Sequence, residues 1–309
     1  MQYRSYILFF VLHGLNWLTA PAQYYPVFSQ YISNGLIINP GFTGSREVLS
    51  LNLLYRKQML GFTGSPNYLV FSAHSPLKNP NLGVGMLLFE EKTGPIHNSH
   101  LYLHYAFRIP TQHGRLSLGL KAGVVYTQYN WRQIYLNDAP DPAFSGDVQT
   151  FLMPNFGAGI YYYSSKMFGG FSIPYFLSYT EKNNYQSISF QNDFKNYNFL
   201  LSGGYVFAIS GNLQYKPSFL YKIHTKAQSQ LDINSTFILF DDKFNFSIAY
   251  RVNEAWVGSL DIRLNPQFRL GYTYEYAGRV AKFFNYTSHE IGLRYELMYK
   301  IKASNPRYF

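Results

Sequence analysis

The 309-residue chain contains no cysteine, which excludes a disulfide framework, a thiolate metal site, a cysteine nucleophile and a lipidated N-terminal cysteine. Charge is scarce as well: Asp, Glu, Lys and Arg make up 14% of the residues, against roughly 25% in an ordinary soluble domain. Acid is scarcer than base, 16 against 26, for a net charge of +10. Such an excess suits nucleic acid or an anionic lipid surface, and composition alone does not separate the two. Long apolar runs are missing too. Nothing beyond the N-terminus approaches the about 18 uninterrupted apolar residues of a membrane helix, and mean hydropathy is −0.16, so a helical membrane protein is excluded. What the chain has instead is aromatic: 30 Tyr, 27 Phe and 3 Trp make 19% of it, within 47% hydrophobic residues, and that excludes disorder.

The N-terminus carries an address. Arg4 supplies a positive start, Tyr6 to Leu18 an apolar stretch, and Ala20-Pro21-Ala22 an A-x-A site before Gln23, the anatomy of a cleaved secretory signal peptide over residues 1–22. Export removes nucleic acid from the expected partners and leaves the basic balance to anionic outer-membrane lipid or acidic partners.

Beyond the leader one pattern repeats. Phe244, Phe246, Ile248 and Tyr250 alternate with Asn245, Ser247, Ala249 and Arg251, and the same period of two runs through Leu270, Tyr272, Tyr274 and Tyr276 and through Ile291, Leu293 and Tyr295. Each such strand has one apolar face, with the charges on the other. A soluble sandwich would bury that face on a second sheet. Long, Tyr-rich strands behind a signal peptide fit better an all-β transmembrane antiparallel barrel, in which the apolar face meets lipid and the polar face lines the lumen. Segments near 46–60, 67–77, 82–91, 98–110, 114–131, 152–165, 167–178, 196–210, 213–225, 227–240, 243–252, 255–264, 268–278 and 287–301 predict about 14 strands. The connections at 78–81, 111–113, 166, 211–212, 241–242 and 265–267 are tight, whereas 132–151, 179–195 and 279–286 are long; short turns mark the periplasmic side and long loops the outside. The barrel is expected over 46–302, with 303–309 a periplasmic tail. Pro174 and Pro217 fall inside predicted strands, where the missing N–H predicts a bulge or a strand end.

Ahead of the barrel, Phe28, Tyr31, Ile32, Gly35 and Leu36 have helical spacing that stops before Asn39-Pro40, because the residue before proline is pushed out of the helical region. Inward glycines on the predicted strands, Gly83, Gly85, Gly119, Gly123, Gly157 and Gly159, ease barrel curvature or admit another backbone. Residues 23–45 are therefore expected to form a short helix and turn that plugs the periplasmic half of the lumen through Phe28, Tyr31, Ile32, Asn39 and Pro40, against Gly83, Gly85, Leu87 and Phe89. A frayed periplasmic tail is the alternative.

No catalytic constellation accompanies these strands, so a non-enzymatic protein without cofactor or metal is expected. His97, His100 and His104 have a tempting spacing, but His100 and His104 would lie roughly 13 Å apart on an extended chain, too far for one metal. Ser72 with His74 and Ser288 with His289 lack an acidic orienter or a G-x-S-x-G turn. Lumen charges of both signs, Arg108, Lys121, Asp261, Arg263, Glu275, Arg294 and Glu296, suggest internal ion pairs more than a selective channel. The long loops hold the candidate partner-binding residues: Tyr135, Asp138, Asp141, Phe144 and Asp147 in 132–151, and Tyr185 and Phe190 in 179–195. Aromatic anchors in loops on a rigid scaffold suit protein binding; capping the lumen or joining the interfacial girdle is the bland alternative.

Five ordered blocks carry a resemblance. Phe28-Ser29-Gln30-Tyr31 is followed by Ile38-Asn39-Pro40-Gly41-Phe42-Thr43-Gly44-Ser45. Then come Arg56-Lys57-Gln58-Met59-Leu60-Gly61 with Gly64-Ser65-Pro66, and Gly83-Val84-Gly85 leading to Tyr105-Ala106-Phe107-Arg108. Pro154-Asn155-Phe156-Gly157-Ala158-Gly159 with Gly170-Phe171-Ser172-Ile173-Pro174, and Gly271-Tyr272-Thr273-Tyr274 with Ser288-His289-Glu290-Ile291, complete the set. Together they resemble the PorP/SprF family of Bacteroidetes type IX secretion membrane proteins, from Phe28 to about Leu297, with Met59 where the family often has Trp and Gly41-Phe42-Thr43 in place of the commoner Ala-Tyr-Ala. The resemblance implies an outer-membrane barrel that is not itself the export pore. It implies a part in exporting or retaining a large surface adhesin with a C-terminal secretion domain, and a link to the periplasmic ring and motor of the secretion and gliding apparatus. Two other functions suit a barrel of this size: a hydrophobic-compound transporter of the fatty-acid channel type, which needs a continuous apolar pocket, and a diffusion porin, which needs an open lumen.

Overall fold

The computed structural model describes residues 28–131, 148–182, 187–226, 228–278 and 286–297. The signal segment, the tail at 303–309, and Tyr135, Asp138, Asp141, Phe144, Asp147 and Tyr185 lie outside these residues.

Fourteen antiparallel strands close into one barrel. In chain order they are β1 (Leu49–Lys57), β2 (Asn67–Pro76), β3 (Leu82–Thr93), β4 (Ile96–Pro110), β5 (Gly114–Asn130), β6 (Val148–Ser164), β7 (Met167–Ile173), β10 (Asn198–Tyr205), β12 (Leu213–His224), β13 (Gln230–Leu239), β14 (Phe244–Arg251), β15 (Ala255–Arg263), β16 (Phe268–Ala277) and β17 (Tyr286–Leu297). Three short strands add to them: β8 (Ser178–Lys182) pairs with β9 (Ser187–Gln191) as a separate hairpin, and β11 (Phe207–Ser210) extends β10 along β12. Each barrel strand pairs with its sequence neighbours, and β1 with β17 and β10 with β12 complete the ring. Closure leaves the barrel sheet itself without an edge strand to recruit other chains.

The alternation has the physical consequence expected of it. Leu103, Leu120, Leu152, Ile160, Phe246, Trp256, Leu264, Tyr272 and Ile291 are exposed on the outer face, while Ser72, His74, His104, Arg108, Lys121, Thr273, Glu275 and Glu290 are buried toward the lumen. No helix among the described residues is long and apolar enough to cross a membrane.

Three details differ from the sequence expectations. The segment expected as one strand over 167–178 ends at Ile173, because Pro174 has no N–H to continue the ladder; Phe176 instead donates its N–H to the Phe156 carbonyl at 2.9 Å. Residues 196–210 are two strands separated at Val206. Opposite that break lies Pro217, whose pairing with Ser235 of β13 is uninterrupted but which leaves a gap in the ladder on its other side, and the Val206 N–H goes to the Lys166 carbonyl. The stretch 179–195 is not all loop, since it holds the β8–β9 hairpin. Two outer connections are also tight, 94–95 and 252–254.

Candidate functional site

Residues 28–48 lie inside the barrel. Phe28, Tyr31, Leu36, Ile37, Ile38, Asn39, Phe42, Thr43 and Arg46 are all buried. Their conformation is three separate 3-10 turns, Ser29–Ile32, Gly35–Ile37 and Pro40–Phe42, instead of the one short helix that the spacing predicts. Asn34 and Asn39 stand in non-helical conformations between the turns. So short an isolated helix is marginal, and here barrel side chains take over the backbone groups a helix would have satisfied itself.

Glycine makes the wall that admits this segment. A Cβ on Gly119 would lie 2.1 Å from the Gly41 nitrogen, one on Gly159 would lie 2.1 Å from Asn39 Oδ1, and one on Gly83 would lie 2.5 Å from the Thr43 carbonyl oxygen. Backbone meets backbone at the first and third of these contacts, so only hydrogen fits. Gly123 and Gly157 serve other neighbours: the first faces its own sheet at Leu101 and Tyr102, the second the carbonyl of Pro174. Asn39 fastens the middle of the segment, accepting from the Gly41 N–H at 2.8 Å while its Nδ2 donates to the Ile160 carbonyl at 2.9 Å. Pro40 opens the third turn with φ already set for it. Phe28 packs edge-on against Tyr68 and Phe89 at 5.4 and 5.5 Å, and Ile32 packs against the same apolar cluster, which also includes Leu87.

On the opposite wall the contacts are ionic. Glu290 accepts from the backbone N–H of Ser29 at 2.9 Å and of Gln30 at 3.0 Å, and from Arg56 Nη1 at 2.5 Å. Arg56 also reaches Glu275 at 3.2 Å, Glu275 accepts from the Ser29 hydroxyl at 3.1 Å and from Arg251 at 3.0 Å, and Arg251 continues to Asp232 at 3.2 Å. All of these side chains are buried, so every charge meets its partner away from water, where an uncompensated ion costs several kcal/mol, on the order of 3–5 when one partner is lost. Lower in the lumen Arg46 pairs with Glu296, Arg294 donates to the Ser33 carbonyl at 2.9 Å, and Arg108 donates to the carbonyls of Gly44 and Pro80. Asn234 donates to the Tyr31 hydroxyl at 2.6 Å, and burial pushes the pKa of that phenol upward, holding it neutral.

The pairs that suggested nucleophiles have other partners. Ser72 accepts from Asn34 Nδ2 at 2.9 Å and His74 Nδ1 accepts from the Gly44 N–H at 3.0 Å, so both seat the inner segment. Ser288 faces inward while His289 meets Tyr272 and Tyr274 on the outer side. Of the lumen charges foreseen, Arg108, Lys121, Glu275, Arg294 and Glu296 are buried as expected of an inner wall, whereas Arg263 reaches the turn carbonyl of Asp241. The Arg56, Glu290, Arg251 and Asp232 group went unforeseen. Parity along each strand marks these residues as inward, but only the register across β1, β17, β16, β14 and β13 brings them together.

Among the candidate binding residues, Phe190 is described: it is 51% exposed on the β8–β9 hairpin, edge-on to Tyr179 at 5.5 Å. Above the inner segment, toward this hairpin, is a cavity of about 540 Å³ between β3–β6 and the 175–179 and 196–198 segments.

The fold is shared with solved outer-membrane barrels. The chain is similar to the toluene transporter TbuX of Ralstonia pickettii, with a TM-score of 0.54 and 9% identity over 85% of this chain and 93% of that one. It is also similar to the CymD monoaromatic hydrocarbon channel, with a TM-score of 0.53 and 10% identity over 95% of this chain and 98% of that one. At such identities the likeness is one of fold. No curated protein matches the chain. The family model of the type IX secretion system membrane protein PorP/SprF matches residues 20–295. Nearly the whole barrel and its inner segment fall within that match, and the chain belongs to the PorP/SprF family of type IX secretion system membrane proteins.

Proposed function

We propose that this protein is a non-catalytic outer-membrane scaffold of type IX secretion, exported behind a cleaved signal peptide, that binds a large cell-surface adhesin by its C-terminal secretion domain and helps export or anchor it. The observation behind the proposal is the filled lumen: residues 28–48 occupy it with satisfied ion pairs and backbone contacts, an arrangement suited to binding and not to passage. Periplasmic ring and motor components would meet the tight-turn side, and the adhesin the outer mouth. The partner-binding residues of this reading are Tyr135, Asp138, Asp141, Phe144 and Asp147 of the 132–151 loop, and Tyr185 and the exposed Phe190 of 179–195. The acidic stretch Asp138 to Asp147 would face basic residues of the partner. Transport of hydrophobic compounds is the second possibility, prompted by the hydrocarbon channels of the same fold. It is disfavoured because the cavity above the inner segment carries many amides and hydroxyls and is floored by packed side chains.

Deleting residues 137–147 tests the scaffold function. The barrel should still fold and insert, while the adhesin is released or retained inside; Phe144→Ala should weaken the complex by about 1–3 kcal/mol, as for a modest hot spot. Normal adhesin display in the deletion strain, with wild-type barrel abundance, would refute the proposal.

A further inference from the structure

The cavity of about 540 Å³ has the size of a small-ligand site. Aromatic residues dominate its lining: Phe89, Tyr102, Tyr129, Tyr175, Tyr179 and Tyr197. It is also held in shape. The Asn155 amide donates to the Leu177 carbonyl at 2.9 Å and to the Tyr179 hydroxyl at 3.2 Å, and its oxygen accepts the Leu177 N–H at 3.2 Å, so the segment after β7 is fixed against β6. Beneath, Lys121 lies 4.3 Å from the ring centres of both Tyr102 and Tyr175, and Phe89 is shared with the Phe28 cluster, so the floor is packed side chain.

Polar atoms of two side chains in the wall of this space lack partners. Both ring nitrogens of His100 and Oδ1 of Asn198, a residue only 5% exposed, are buried with no hydrogen bond among the described residues, and both side chains line the cavity. A neutral imidazole offers one donor and one acceptor, and the amide oxygen is a second acceptor. A hydrocarbon satisfies none of these atoms. A carboxylate or phosphate, which only accepts, satisfies the single donor and leaves two acceptors opposed. A hydroxyl both donates and accepts, and a ring carrying several of them has C–H faces to lay on the tyrosines while its edges reach His100, Asn198 and Asn98. We propose that this cavity is a binding site for a short saccharide, with His100 and Asn198 as its specificity-determining hydrogen-bonding residues. A saccharide reaches the outer mouth from either of two sources, the sugar headgroup of an outer-leaflet glycolipid or a glycan carried by a secreted protein.

Trp131 supplies the probe, stacked at 5.2 Å on Tyr129 of the cavity wall. In the purified mature barrel with Trp256→Phe, Trp131 is the one remaining tryptophan, since Trp17 leaves with the signal peptide. It is titrated with core oligosaccharide freed from the lipopolysaccharide of the same cells, with glycopeptides from their secreted proteins, and with toluene and benzoate. One sugar probe should shift its emission saturably with a Kd below about 1 mM, and the arm that does so names the source. Asn198→Ala and His100→Phe, the second of which keeps a ring against Phe89 and loses only the nitrogens, should each raise that Kd roughly tenfold or more in barrels that still migrate as folded. Binding of toluene or benzoate without either sugar, no saturable shift with either sugar, or unchanged sugar affinity in His100→Phe would overturn the proposal.

Discussion

Replacing Glu290 by Gln changes one atom at the point where the inner segment is tied to the barrel. The wild-type carboxylate receives two backbone N–H groups, from Ser29 and Gln30, and one guanidinium N–H from Arg56, at 2.9, 3.0 and 2.5 Å. Glutamine keeps the shape but has one acceptor oxygen in place of two and no charge, so one of the three donors faces an NH₂ group. Losing a partner from a buried pair costs about 3–5 kcal/mol. The lower figure applies here, because Arg56 retains Glu275 at 3.2 Å. Most of that loss falls on the docking of the first turn, Ser29–Ile32, since the strand pairing of Arg56 with Glu290 is backbone and stays. At about 1.4 kcal/mol per tenfold, 3 kcal/mol raises the undocked population of that turn about a hundredfold. Amide hydrogen exchange of the detergent-solubilised barrel reads this population directly. The Ser29 and Gln30 amides should exchange about a hundredfold faster in Glu290→Gln, with β1 and β17 unchanged as the internal control. Exchange within about threefold of wild type in a folded barrel would show that the carboxylate does not hold the segment.

Two further outcomes follow from the same geometry. Gly119→Ala places a methyl group 2.1 Å from the Gly41 nitrogen, where neither backbone can yield; the folded variant should be cut by added protease between Tyr31 and Arg46, and full protection there would contradict the close approach. Lys121→Met keeps the stem and removes a buried ammonium that has no carboxylate partner among the described residues. Its two ring contacts are worth up to about 2 kcal/mol each against a desolvation cost of several, so the urea midpoint of the barrel should hold or rise, and a clear fall would contradict this balance.

The sequence by itself determined what depends on local period and local chemistry. A period of two with charges on one side specifies strands with a lipid face and a lumen face, so a barrel of about fourteen strands was legible in the sequence, whereas turn length separates the two ends only in part, since 94–95 and 252–254 are tight as well. The inward glycines were legible as easing barrel curvature or admitting another backbone, and only the structure shows that Gly83, Gly119 and Gly159 do the second while Gly123 and Gly157 meet other neighbours. Tertiary structure alone decided which residues meet. Glu290, Arg56, Glu275, Arg251 and Asp232 come from five strands, β17, β1, β16, β14 and β13, and are joined by ring closure and register, which no local pattern encodes. The inner segment likewise has helical spacing, yet forms three single turns, because Glu290, Arg108, Arg294 and Ser172 supply from the wall the hydrogen bonds that a free helix would have to supply from itself. The unpartnered nitrogens of His100 and the amide oxygen of Asn198 are invisible in sequence for the same reason: a polar residue on an inward position shows only that it faces the lumen, and whether that lumen offers it a partner is settled by what else is folded inside.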